Sequence, residues 1–140
     1  MIGTWKGSYK YHNQKARQVT GFEHTVFTIL IHFFDGTHFK GTVTDDLKSG
    51  GMEGEGQITG EMNNIKISFR KLMPRKTVLF KDGRKTLNKK HPTIYYSGTI
   101  SQDKTEVVGS WKIRWQILYL FGIIPFPFRP TTGTWEMKLQ

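Results

Sequence analysis

Apolar and polar residues alternate with a period of two along most of this chain, and glycine or Asn/Asp clusters break the alternation at short intervals. Helical spacing is hard to find. The pattern is that of half-buried strands bounded by turns. It predicts eight strands, over about 4–11, 22–34, 37–44, 53–59, 65–72, 92–100, 106–114 and 132–139. The connections after the second, fourth and sixth strands are short: Asp35-Gly36, "GEMNN" at 60–64 and "SQDKT" at 101–105. Those after the first, third, fifth and seventh are long, about 12–21, 45–52, 73–91 and 115–131. In an antiparallel meander the connections alternate between two ends. All tight turns therefore fall at one end and all long loops at the other. Eight such strands close when the last pairs with the first. The expected fold is all-β: an eight-stranded up-and-down antiparallel meander barrel without substantial helix, a single domain over 1–140. A barrel of this size is about wide enough for one small ligand.

Parity separates the interior from the outer wall. The predicted inward set is Trp5, Gly7, Tyr9 and Tyr11; Phe39, Gly41 and Val43; Gly54, Gly56 and Ile58; Ile65, Ile67 and Phe69; Ile94, Tyr96, Gly98 and Ile100; Val107, Gly109, Trp111 and Ile113; and Gly133, Trp135, Met137 and Leu139. The second strand is apolar on both faces, with Phe27, Ile29, Ile31 and Phe33 on one and Val26, Leu30 and Phe34 on the other. Either a subunit interface or a β-bulge accounts for that. "GTW" at 3–5 returns as "GSW" at 109–111 and "GTW" at 133–135. These glycines either make room for Trp and Tyr rings or open space for a ligand.

Charge changes the picture in one place. The net charge is +10, and residues 70–90 carry +8 of it, with nine Lys or Arg against Asp82 alone. That segment reads either as a solvated hairpin turning at Asp82-Gly83 or as a lure for a carboxylate, a phosphate or an anionic surface. The opposite extreme is 115–128, fourteen residues without a charge, broken by Gly122, Pro125 and Pro127. It is too short for a membrane-spanning helix, which needs about 20 residues. Four uses remain: a lid over the mouth, an oligomer contact, shallow insertion into a bilayer, or a hairpin extending the flanking strands with "FGII" at its bend. Lid or oligomer contact is preferred, with Trp115, Leu118, Phe121, Ile123, Phe126 and Phe128 as the contact residues. The absence of Cys excludes disulfides and thiolate chemistry. The opening "MIGTWKGSYKY" has no apolar signal core, so a cytoplasmic protein is expected.

The Gly-x-Trp at the start of the first strand resembles the signature of lipocalins. The eight-strand meander with a second Gly-x-Trp near the end is similar to the avidin-like branch of the same calycin barrels, and the layout is similar to small bacterial lipocalin-like proteins. The resemblance implies a barrel that binds a small molecule in its interior. The chain departs from these families at several points. It ends in a strand where lipocalins add a helix. "GTWKGSYKY" lacks the Asn that avidins use for biotin, and "GTWEMKL" lacks the Arg-x-Tyr of fatty-acid-binding barrels. "GTWKG" also matches the opening of nitrobindin-type haem barrels, but the last histidine, His91, falls at a strand edge, which argues against haem.

Candidate chemistry is sparse. His12, His24, His32, His38 and His91 show no zinc spacing. The acids, Asp45, Asp46, Glu53, Glu55, Glu61, Asp103 and Glu106, read as turn or outward positions. No nucleophile elbow or phosphate loop is present. The expected function is non-catalytic, without metal or cofactor: a lipocalin-like barrel binding a small apolar ligand, with or without an anionic group, at the loop-rich mouth. Tyr9, Tyr11, Tyr96 and Trp111 are its expected lining, and Arg75 and Lys76 its cations. The alternative is a filled barrel acting as a protein-interaction or anionic-membrane module. A homo-oligomer is the other partner considered. An anionic membrane ranks lower, and nucleic acid last, because the aromatics read as interior.

Overall fold

The alternation does close into a barrel. In the computed structural model the backbone is described for 1–12, 23–74, 76–80, 83–87, 93–113, 116–120, 124–128 and 131–140. Side chains are described for the same residues except 76–80, 83–87, 116–120 and 124–128. Twelve strands are present among them: β1 (Gly3–Tyr11), β2 (Thr25–Phe34), β3 (His38–Asp45), β4 (Glu55–Asn63), β5 (Lys66–Leu72), β6 (Lys76–Phe80), β7 (Gly83–Leu87), β8 (Ile94–Ile100), β9 (Glu106–Ile113), β10 (Gln116–Leu120), β11 (Ile124–Phe128) and β12 (Thr131–Leu139). Eight of them form a closed antiparallel barrel in the order β1-β12-β9-β8-β5-β4-β3-β2. The seam joins β1 to β12, from Trp5↔Leu139 to Tyr11↔Gly133. The other four form two hairpins, β6–β7 and β10–β11, which the chain visits between β5 and β8 and between β9 and β12.

The tight turns are held locally. Asp35 Oδ1 accepts the backbone N–H of Thr37 at 2.9 Å and of His38 at 2.6 Å. Asn64 takes a left-handed φ of 57° between β4 and β5, a conformation its short polar side chain tolerates. Ser101 Oγ donates to Asp103 between β8 and β9.

Several expectations need correction. β4 continues to Asn63, so Gly60, Glu61 and Met62 belong to the strand and the turn is only Asn64-Ile65. Gly60 is there for packing: a Cβ on it would lie 2.6 Å from Phe39 Cζ. Ile65, expected inside, is 54% exposed because it sits on that turn. Gly54 precedes β4 and is exposed. Leu139 is also exposed, next to the end of the seam. β2 carries a register shift between Ile31 and Phe33. Phe27, Ile29 and Ile31 face inward; beyond the bulge Phe34 packs on the core while Phe33 is exposed. The bulge thus explains why Phe33 and Phe34 exchange faces, whereas Val26 and Leu30 precede it on the outward parity, with Leu30 exposed.

The core is a stack of rings interleaved with glycines. Phe69 stacks on Tyr96 with centroids 4.6 Å apart and meets Trp135 edge-on at 5.3 Å. Such pairs contribute roughly 0.5–1.5 kcal/mol beyond the area they bury. The repeated Gly-x-Trp is reciprocal. Antiparallel pairing sets Trp111 opposite Gly133 and Trp135 opposite Gly109. Trp111 Nε1 donates to Thr134 O at 3.2 Å, and Trp135 Nε1 donates to Ser110 O at 3.0 Å. Each indole therefore lies across the other motif's glycine and bonds the carbonyl just after it. A Cβ on Gly133 would stand 2.3 Å from Trp111 Cε2. Gly133 thus makes room for a ring, whereas a Cβ on Gly109 would meet the neighbouring backbone, Ser97 O at 1.9 Å, and one on Gly3 would meet Leu139 Cδ1 at 3.1 Å.

The segments 73–91 and 115–131 each contain a hairpin. Phe80 pairs with Gly83 and Lys76 with Leu87. Gln116 pairs with Phe128 and Leu120 with Ile124. The hairpin option for 115–128 is therefore present in the backbone. Pro125 and Pro127 share one parity in β11, opposite Tyr119 and Ile117. Proline has no N–H to give, so the ladder bonds fall to Ile124, Phe126 and Phe128. Leu118 pairs with Phe126 in the backbone. Trp115, Phe121 and Ile123 lie outside the described residues.

Candidate functional site

The loop-rich end of the barrel holds the two charged side chains that are buried among the described residues, Asp45 and Lys71. Each continues an inward parity by one step. Asp45 follows Phe39, Gly41 and Val43 on β3, and Lys71 follows Ile67 and Phe69 on β5. Lys71 Nζ and Asp45 Oδ1 form an ion pair at 2.6 Å, with side chains 2% and 0% exposed. The other oxygen, Oδ2, accepts the Met52 N–H at 3.1 Å and the Tyr9 hydroxyl at 3.4 Å. Lys71 Nζ also stands 5.2 Å from the centroid of the Tyr9 ring, within cation–π range. Asp45 was expected on a turn or outward face. It is instead an interior residue, because β3 extends through it before the chain turns at Asp46.

The β3–β4 connection shuts this pair off from water. Asp46 caps a 3-10 turn over Leu47–Ser49 by accepting the Lys48 N–H. The turn is tied to β2 twice: Thr25 Oγ1 donates to Ser49 O at 2.9 Å, and the Val26 N–H donates to Ser49 Oγ at 3.0 Å. The chain then doubles back at Gly51, where a Cβ would lie 2.3 Å from Asp45 Cβ. Only a residue without a side chain lets the loop pass this close. The result places Met52 over the carboxylate, and Met52 and Met73 are both buried.

Burial pushes the Tyr9 phenol well above its usual pKa, and the Asp45 carboxylate pushes it the same way. Tyr96 is raised by the same two causes, burial first. Both phenols stay protonated, so Tyr9 can donate to Asp45.

The residues nominated from sequence divide into groups. Tyr9, Tyr11 and Trp111 come together, with centroids 5.9 Å apart for Tyr9–Trp111 and 5.1 Å for Tyr11–Trp111. Tyr96 belongs to a second cluster with Phe69 and Trp135. Lys76 opens β6, its side chain not described, and Arg75 lies outside the described residues. Lys71 and Asp45 were missed as a site. Among the described residues no group of three or more His, Asp or Glu is placed to hold a metal ion, and no helix is long and apolar enough to cross a membrane. The arrangement offers an ammonium held in a fixed direction, a phenol hydroxyl beside it and apolar rings around both. Comparison of the chain with protein-family models, with curated proteins and with solved structures finds no match.

Proposed function

We propose that this is a non-catalytic, calycin-like binding barrel that takes a small molecule with an apolar body and an anionic head at its loop-rich end. One observation carries the reading: the Lys71–Asp45 pair buried beneath the Gly51–Met52 loop. A buried ion pair is a poor stabiliser, since apolar residues of the same shape usually serve as well or better. The pair lies at the loop-rich end, and the mouths of β-barrels are where small-molecule sites form, so recognition gives these buried charges a use that stability does not. A ligand carboxylate would reach Lys71 when the Gly51–Met52 loop moves aside and would take the place of Asp45 on the ammonium; the Tyr9–Tyr11–Trp111 rings would receive the body. The basic segment 70–90 would raise the local concentration of anions.

Native mass spectrometry on protein never exposed to organic solvent tests this directly. The expected result is an adduct released on activation. A fluorescent fatty-acid probe should bind saturably and be lost in the Asp45→Asn/Lys71→Met double variant, which keeps the shape of the pair. A clean mass and no probe binding would remove the reading.

A second reading is favoured by the ring-to-ring packing of the four nominated aromatics: a filled barrel serving as a protein-interaction or anionic-membrane module. In that case residues 115–128 make the contact. Sedimentation with acidic liposomes, abolished by changing Arg84, Lys85, Lys89 and Lys90 to Ser, is the outcome it requires of the membrane version. A defined oligomer without adduct is the outcome for the other.

A further inference from the structure

The outer wall of the barrel carries a groove that the interior site does not use. Strand register lays Arg70, Tyr95 and Lys112 side by side across β5, β8 and β9. Two residues along, the same register lays Ser68, Ser97 and Ser110 in a parallel row. The short serines form a floor beside the taller row. A cavity of about 830 Å³ is lined by all six residues, and a second of about 530 Å³ shares the three serines. The two are stretches of one groove with a hydroxyl floor. Each lies within the range of roughly 300–1,000 Å³ typical of ligand pockets. Arg70 and Lys112 are exposed and make no ion pair among the described residues. They flank Tyr95, two strand spacings or about 10 Å apart.

We propose that this groove binds a carboxylated saccharide. Serine hydroxyls both donate and accept, as sugar hydroxyls do, so a row of them can match either role. A tyrosine ring offers an apolar surface for the C–H face of a pyranose. Cations on either side of it reach carboxylates on neighbouring sugars through charge-assisted hydrogen bonds. A nucleic-acid strand fits less well, since it favours successive aromatic platforms; among the described residues that line the groove, the rings of Phe69, Tyr96 and Trp111 are buried in the core, which leaves Tyr95.

The test is calorimetric titration of the whole protein with trigalacturonate and with a hyaluronan tetrasaccharide, against maltotriose and a short oligothymidylate. At least one acidic saccharide should bind about tenfold tighter than maltotriose, the effect of one charge-assisted hydrogen bond. Arg70→Ser/Lys112→Ser should erase that preference, and Tyr95→Ala should weaken binding about tenfold. All three positions are on the outer wall, and an unchanged melting curve would verify that the fold survives. Absence of binding by both acidic saccharides at millimolar concentration overturns the proposal, as does binding unaffected by the variants. Tighter oligothymidylate binding, lost in the double variant, would assign the groove to nucleic acid instead.

Discussion

Removing Lys71 should damage this protein more than removing Lys71 and Asp45 together. In Lys71→Met the carboxylate keeps the Met52 N–H and the Tyr9 hydroxyl, but Oδ1 loses its partner at 2.6 Å in a site where its side chain is 0% exposed. An orphaned buried charge of this kind costs about 3–5 kcal/mol. A domain has about 5–15 kcal/mol in total, so the single variant should lose a large fraction of its stability. Asp45→Asn should lose a comparable amount, because it leaves the ammonium without a counter-charge. Asp45→Asn/Lys71→Met removes both charges while the amide oxygen still accepts the Met52 N–H and the Tyr9 hydroxyl, so it should lie within about 1 kcal/mol of the wild type, or above it. Urea titration followed by tryptophan emission reads all four proteins; Trp5, Trp111 and Trp135 are buried reporters. A loss below about 1 kcal/mol in Lys71→Met would mean that the carboxylate is satisfied without the ammonium. A double variant as damaged as the sum of the single losses would mean that the two charges are not coupled. Either result refutes the reasoning.

Gly51→Ala and Gly109→Ala should each destabilise by about 1–3 kcal/mol or more through overpacking. The new Cβ would fall 2.3 Å from Asp45 Cβ in the first and 1.9 Å from Ser97 O in the second; thermal melts check both. Alkaline pH should weaken the fold. Tyr9 and Tyr96 have folded pKa values above the unfolded value of about 10, so their contribution is complete below pH 10 and is lost as pH rises from there. The slope should approach about 1.4 kcal/mol per pH unit per phenol, and urea midpoints that stay flat between pH 9 and 11 would contradict it. Acid acts on the turns. Hydrogen bonds from the backbone of His38 and Thr37 hold Asp35 below the usual carboxylate range, and those from Ser101 and Thr105 do the same for Asp103. The stability they add is present above about pH 4 and disappears as pH falls below it; Asp35→Asn should flatten that part of the pH profile.

Most of the barrel was legible because a period-two pattern has only two phases, and turn chemistry fixes where the phase restarts. Asp35-Gly36 and "SQDKT" were read correctly for that reason. "GEMNN" was not: Gly60 looks like a turn residue in sequence, yet it is a strand residue kept small by Phe39 and Phe69. The extra residue in β2 blurred the alternation, and the sequence alone left bulge and interface equally open. The ion pair was written in the same period. Asp45 and Lys71 each stand two residues beyond an accepted inward position. Their charge assigned them to a loop and to a basic stretch, although parity placed them inside. What no one-dimensional pattern carries is the partner: that β3 and β5 would bring these two residues within 2.6 Å depends on the curvature of a closed barrel.

The seam between β1 and β12 has a consequence for folding. Every other barrel contact joins strands that follow one another in the meander, whereas this one joins residues more than a hundred positions apart. Closure is therefore a late event, governed by the entropy of a very long loop. Until it occurs, β1 and β12 present unpaired edges, which invite pairing with other chains. A nascent barrel lacking Thr131–Leu139 would be an open sheet with two such edges, and its solubility would depend on how quickly the last strand fills the gap.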